Sequence, residues 1–240
     1  GACFNSAAWA DWPLIANTQV DGQLDWKFPD GVANRLQPEE WLMVQSHYVN
    51  ASTQDTPKGA GEVLINFWHM PEEKIVHELG TLFATKQSIR VCQSNPTPEY
   101  QGSCQVATGG QPVTVIGANG HFHSRGKQFE MFGWDGQSLT ADESAKFYSS
   151  TEWDEPEMAF SDSLAQIPVG GGVFFTCNYQ WTAPTAEIGC SGLDEFDATK
   201  YGTPAEQLDC CYTFGPIVER NEHCNIFVYY YPKSEDINCF

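Results

Sequence analysis

Short runs of β-branched and aromatic residues, each cut off by glycine, proline or polar clusters, recur along most of this 240-residue chain. WLMVQSHYV, GEVLINFWH, TLFAT, QSIRVCQ, PVTVIGAN, HFHSRGKQFEMFGW, GGVFFTCNYQW and NIFVYYYP are of this kind. Runs of that length and composition suit pleated, half-buried strands. Helical periodicity is weak. Thr203-Pro204-Ala205-Glu206-Gln207-Leu208 reads as one helical turn, with Thr203 as its cap and Pro204 at the first helical position. The pattern predicts an all-β fold, an antiparallel β-sandwich of the jelly-roll type, rather than an α/β one. The length accommodates one large β domain or two small ones.

Nine cysteines, Cys3, Cys92, Cys104, Cys177, Cys190, Cys210, Cys211, Cys224 and Cys239, are too many for a reducing cytosol unless they bind metal. None of the paired C-x-x-C zinc spacings is present. The expectation is a disulfide-bonded protein of an oxidising compartment, secreted or otherwise extracytoplasmic, with one thiol left over from an odd count. Asn95 to Gly110 reads as a loop that Cys92 and Cys104 are placed to close. A second loop-rich region, Thr182 to Gly215, carries Cys190, Cys210 and Cys211, where disulfides would offset the lack of regular structure.

Charge excludes one class of partner. With 31 acidic and 12 basic residues the formal charge is −19, so the surface repels phosphate backbones and anionic membranes, and no nucleic-acid partner is expected. The longest apolar runs, such as Val169 to Phe175, are too short to cross a bilayer, so no membrane insertion is expected either. No charged-then-apolar leader opens the chain, which reads as a mature or excised piece. Neither a G-x-S-x-G elbow nor a P-loop occurs, and acidic runs such as Asp154-Glu155-Pro156-Glu157 read as solvated faces.

Chemistry-bearing side chains are concentrated in the histidines: His47, His69, His77, His121, His123 and His223. On a strand, side chains alternate faces, so His121 and His123 project to one side, about 7 Å apart at their Cα atoms, with Phe122 turned away. Two imidazoles so placed can converge on one ion, or can form an ordinary hydrogen-bonded polar pair. A metal needs a third ligand. His223 is the best candidate, because it opens the strongly β-prone run EHCNIFVYYY and adjoins Cys224; a surface loop position is the other reading. His69 and His77 flank Pro71-Glu72-Glu73-Lys74 and read as solvated surface, while His47 is either a core histidine or an additional ligand.

Taken together, these segments resemble the copper type II, ascorbate-dependent monooxygenases, the family of peptidylglycine α-hydroxylating monooxygenase and dopamine β-monooxygenase. LMVQSHYVN, residues 42–50, is similar to the family's strand ending in a His-Tyr pair, and HFHSRGK, residues 121–127, to its H-x-H-x-x-G-K copper motif. Cys177 in FFTCNY and Cys224 in EHCNIFVYYY match the cysteines of a disulfide in the family's second domain. The resemblance implies two jelly-roll-like domains with one copper each. Residues 1–50 would be the tail of the first and residues 51–240 the second, catalytic one. It also implies a Cys177–Cys224 bridge and a metal held by His121, His123 and the residue before Cys224.

The chain departs from that pattern in three places. The family's third ligand is a methionine, and His223 stands there instead, giving a three-nitrogen set that suits Cu(II) and also zinc. The family's first copper uses an adjacent histidine pair together with the residue matched by His47, and no His-His pair occurs in this chain. In the substrate pocket Asn119 replaces an arginine and Phe227 a tyrosine, while Asn225 is kept, so the charge partner for a peptide carboxylate is gone. The expectation is therefore one copper ion on His121, His123 and His223, with Asn119, Asn225 and Phe227 as pocket candidates. Ascorbate or another small reductant, a small-molecule substrate, and a redox or copper-transfer partner protein are the partners to consider. Two rivals stand beside C–H oxidation with O2 or peroxide: a non-catalytic copper carrier, store or electron-transfer protein, and a zinc-dependent hydrolase.

Overall fold

The computed structural model describes residues 14–19, 24–45, 63–138, 140–193 and 209–240, and the statements that follow concern these. The chain forms β1 (Val32–Ala33), β2 (His77–Glu78), β3 (Gly80–Thr85), β4 (Arg90–Cys92) and β5 (Glu99–Gln105). The long central strands follow: β6 (Val113–His121), β7 (Gly126–Trp134), β8 (Lys146–Ser150), β9 (Ala159–Ile167) and β10 (Gly172–Tyr179). After a loop region come β11 (Cys211–Phe214), β12 (Asn221–Glu222), β13 (Asn225–Tyr231) and β14 (Asn238–Cys239). Single-turn 3-10 segments are the only helical pieces among the described residues.

The architecture is all-β and built of several sheets. A five-stranded sheet runs in the order β14-β5-β10-β7-β8 and a four-stranded one in the order β3-β13-β6-β9. Both are antiparallel throughout. A small three-stranded sheet, β12-β11-β4, sits beside them, and β1 pairs β2; in these two, the β1–β2 and β11–β12 pairs are parallel. Alternation along the strands explains how the large sheets meet. Ile226, Val228 and Tyr230 of β13 and Val113 and Val115 of β6 enter one core with Phe129 and Met131 of β7 and Val173, Phe175 and Cys177 of β10. The opposite face of β13 carries Phe227 and Tyr229, which pack with Ile116, Leu79 and Val32 and receive Leu14, Trp26 and Phe28 from the N-terminal part of the chain.

Four disulfides fasten this scaffold: Cys92–Cys211, Cys104–Cys239, Cys177–Cys224 and Cys190–Cys210. The closure expected between Cys92 and Cys104 does not form. Asn95 to Gly110 is not one loop but contains β5, which carries Cys104 opposite Cys239 of β14, while β4 sets Cys92 opposite Cys211 of β11. Cys177–Cys224 spans from β10 to the residue that precedes β13, and so ties one large sheet to the other. Such a set of bridges is that of a protein matured in oxidising surroundings.

Two expected strands do not form over their described residues. Residues 41–45 of WLMVQSHYV and 63–69 of GEVLINFWH take no strand structure, and most of their apolar side chains face solvent. His47, the turn at Thr203–Leu208 and the boundary expected at residue 50 lie outside the described residues. No helix among the described residues is long and apolar enough to cross a membrane.

Candidate metal centre

His121 is the last residue of β6, directly opposite Asn225 of β13. Beyond it the chain turns sharply back into β7, closed by the Gly126 N–H donating to the His123 carbonyl at 2.8 Å. Phe122, 1% exposed, points into the core and stacks on Phe129, which turns the histidines on either side of it away from that core. Gly126 is required at the return, because a Cβ there would collide with the Phe122 ring. His223 arrives from the other chain end, between β12 and β13, where the hydroxyl of Tyr179 donates to its carbonyl and Cys224 beside it is bonded to Cys177.

The three rings converge. Ring centroids of His123 and His223 are 4.3 Å apart, those of His121 and His123 5.4 Å, and those of His121 and His223 5.5 Å. One nitrogen from each lies within 4.8 Å of the others, a spacing at which three imidazoles can share one ion. His123 is buried and its Nδ1–H donates to the Asn221 carbonyl at 2.9 Å, which fixes the tautomer and leaves the Nε2 lone pair available. Nδ1 of His223 is buried with no hydrogen-bond partner. A buried polar atom so placed is costly unless something coordinates it.

Electrostatics favour neutral rings. Burial, with His123 and His121 close by, pushes His223 down to about 3. Burial likewise lowers His123 from its ordinary value, despite its hydrogen bond to the Asn221 carbonyl, which works the other way. Neutral imidazole is the form that donates to a metal, so His123 and His223 are held ready at neutral pH. These residues fit a borderline metal ion such as copper or zinc.

Behind the rings lies a buried charge pair that the sequence did not single out. Glu222 is fully buried and Arg125 is 5% exposed, with the Arg125 Nε 2.8 Å from the Glu222 Oε1. Burial raises the Glu222 carboxyl above its ordinary value, while the Arg125 guanidinium and two backbone N–H donors pull it down. Phe214, with its ring centroid 5.1 Å from that of His223, covers one side of the site. The sequence cues were present but slight: a glutamate directly before His223 and an arginine inside HFHSRGK.

Among the pocket candidates, Asn225 lies next to the site, opposite both His121 and Thr85, and is buried. Asn119, two residues before His121, is fully buried; its amide donates to the Pro156 and Glu157 carbonyls and its oxygen accepts from Asn17. Phe227 is buried against Phe83 at 5.1 Å. His69 is exposed, as expected, whereas His77 is half-buried and stacks on Tyr231 at 5.3 Å. A second group of potential ligands, Cys92, Asp209 and Cys211, has both its sulfurs joined in a disulfide, which removes the thiolates a metal would need.

The chain matches no protein-family model and no curated protein. The fold and the three-histidine cluster therefore carry the functional argument.

Proposed function

We propose that the protein binds one copper ion through His121, His123 and His223 and works as an oxidoreductase of the copper-monooxygenase type. The observation that carries this is the convergence of three imidazoles, one nitrogen of each within 4.8 Å of the others, on a disulfide-fixed corner of the fold. A bound copper would supply one-electron redox chemistry. The chain contributes orientation and shelter. The Asn221 carbonyl holds the His123 ring, Cys224 fixes the approach of His223, and the Phe214 ring packs against the His223 ring. Asn225, paired with His121 across the strands, is the candidate contact for a small-molecule substrate. Insertion of one oxygen atom of O2 into a C–H bond consumes two electrons and two protons and releases water, with ascorbate as the candidate donor. Peroxide would bring oxygen and electrons together, C–H and H2O2 giving C–OH and water.

The resemblance to the ascorbate-dependent copper monooxygenases supports this reading, with residues 51–240 as the copper-binding unit in a jelly-roll arrangement. One feature favours a second reading. Residues 1–240 hold no His-His pair, so they do not themselves supply the ligands of the family's first copper site, its usual electron source. A copper carrier or single-electron protein needs no such supply and would hand its ion or electron to a partner protein. Metal analysis of the purified protein, followed by Cu(II) titration under electron paramagnetic resonance, separates copper from zinc, which gives no signal. One equivalent of Cu(II) should bind, and His223→Ala should weaken it by about 100-fold or more, beyond the 10–100-fold typical for loss of an outer hydrogen-bond partner. Oxygen or peroxide consumption with ascorbate above that of free copper supports the enzyme. No such excess, together with transfer of the ion to a partner, leaves the carrier.

A further inference from the structure

We infer that Glu222 is a positioning residue for the three-histidine site, locking the His123 turn and the His223 segment into one register before any metal arrives. The inference rests on the metal-binding reading and extends it to a residue that is not a ligand. Its carboxylate is wholly engaged. Oε2 accepts the His123 backbone N–H at 2.9 Å, and Oε1 accepts the Arg125 backbone N–H at 3.0 Å and its Nε–H at 2.8 Å. One side chain thus grips the main chain at both residues 123 and 125.

Its neighbours give that grip its effect. Asn221 offers the carbonyl that orients the His123 ring, His223 supplies the third imidazole, and Cys224 closes the disulfide to Cys177. Four consecutive residues, 221–224, therefore join the two chain segments that meet at the site. Arg125 is held in turn: its Nη1 donates to Ser124 Oγ at 3.0 Å, its Nη2 to the Val218 carbonyl, and its guanidinium lies 4.0 Å over the Tyr212 ring. A buried ion pair is tolerable when its hydrogen bonds are complete, as they are here. Its use is then specificity of geometry, of the kind that outer partners of metal ligands provide. A carboxylate suits the place because it is acceptor-only, facing three donors; glutamine would turn an N–H2 toward at least one of them.

The test compares the native protein with Glu222→Gln and with the double variant Glu222→Gln, Arg125→Met, which removes both charges. Cu(II) affinity, the paramagnetic resonance spectrum and the thermal midpoint are recorded for each. Glu222→Gln should bind Cu(II) roughly 10–100-fold more weakly, with altered copper hyperfine splitting. The double variant should recover the native thermal midpoint without recovering the native spectrum, and it carries the comparison alone if the single variant does not fold. A folded Glu222→Gln protein with native affinity and spectrum overturns the inference. So does a double variant that regains both, since the pair would then only balance charge in the core. Failure of the native protein to take up Cu(II) or zinc is a different result, and it ends the metal-binding reading itself.

Discussion

NIFVYYYP and GEVLINFWH are alike on paper, both short, aromatic and β-branched, yet they end in opposite environments. The first becomes β13, hydrogen-bonded to β3 on one side and β6 on the other, with Tyr229 and Tyr230 fully buried. The second takes no strand structure over residues 63–69, and Trp68 is 87% exposed; Trp41, in WLMVQ, is 86% exposed. Intrinsic preference is the same in both, so the difference lies in partners. A strand is completed by cross-strand neighbours and a face to bury, and β-propensity alone supplies neither.

The largest effect expected from that comparison is at Phe122, which anchors the buried side. Phe122→Ala should cost about 3–5 kcal/mol, as for an aromatic removed from a packed core. Because Phe122 faces the core between the two histidines of the site, the same change should also weaken Cu(II) binding. Denaturant unfolding of the apo-protein and a copper titration check the two parts. A cost below about 1 kcal/mol would mean that the core around Phe129 and Tyr179 relaxes freely and does not hold the site.

Much of the buried side was legible in the sequence because its signals are local. The all-β class follows from runs such as VTVIGAN and FFTCNY, and the pairing of His121 with His123 follows from their two-residue spacing about a core-facing Phe122, although the strand itself ends at His121 and a turn places His123. Partner choice is not local. Cys92 and Cys104 are near in sequence but are carried by different sheets, so each meets a cysteine more than 100 positions away, at separations of 119 and 135. Glu222 and Arg125 went unremarked because a charged residue in a polar stretch looks like surface until the fold closes over it. The exposed stretches were misjudged for the converse reason: composition advertises a strand, but nothing in it names the neighbour.

Acidification is the next test, intermediate in size, and it separates the site corner from the rest of the molecule. The folded value of His223, about 3, lies below its ordinary value of 6.5. Between these limits the unfolded chain binds a proton that the folded chain does not. The stability this ring contributes is therefore full above roughly pH 6.5 and is lost as pH falls toward 3. His123, also lowered, adds in the same sense. Apo-protein should lose more stability between pH 7 and pH 5 than His223→Phe, whose ring does not titrate; equal losses in the two would show that the histidine corner is open to solvent.

The smallest expected effect belongs to the exposed side. Trp68→Ser removes a large ring, but one with little packing to lose, so stability should change by no more than about 0.5 kcal/mol. Denaturant unfolding measures this directly, and the solvent-exposed component of native tryptophan emission should be reduced in the variant, with Trp41 still contributing to it. The value of this null-sized change lies in its contrast with Phe122→Ala, since both remove an aromatic ring from a strand-like sequence. A cost above about 1 kcal/mol at Trp68 would require that residues 63–69 bury this face against something in solution, and the distinction between partnered and unpartnered runs would then fail at its simplest point.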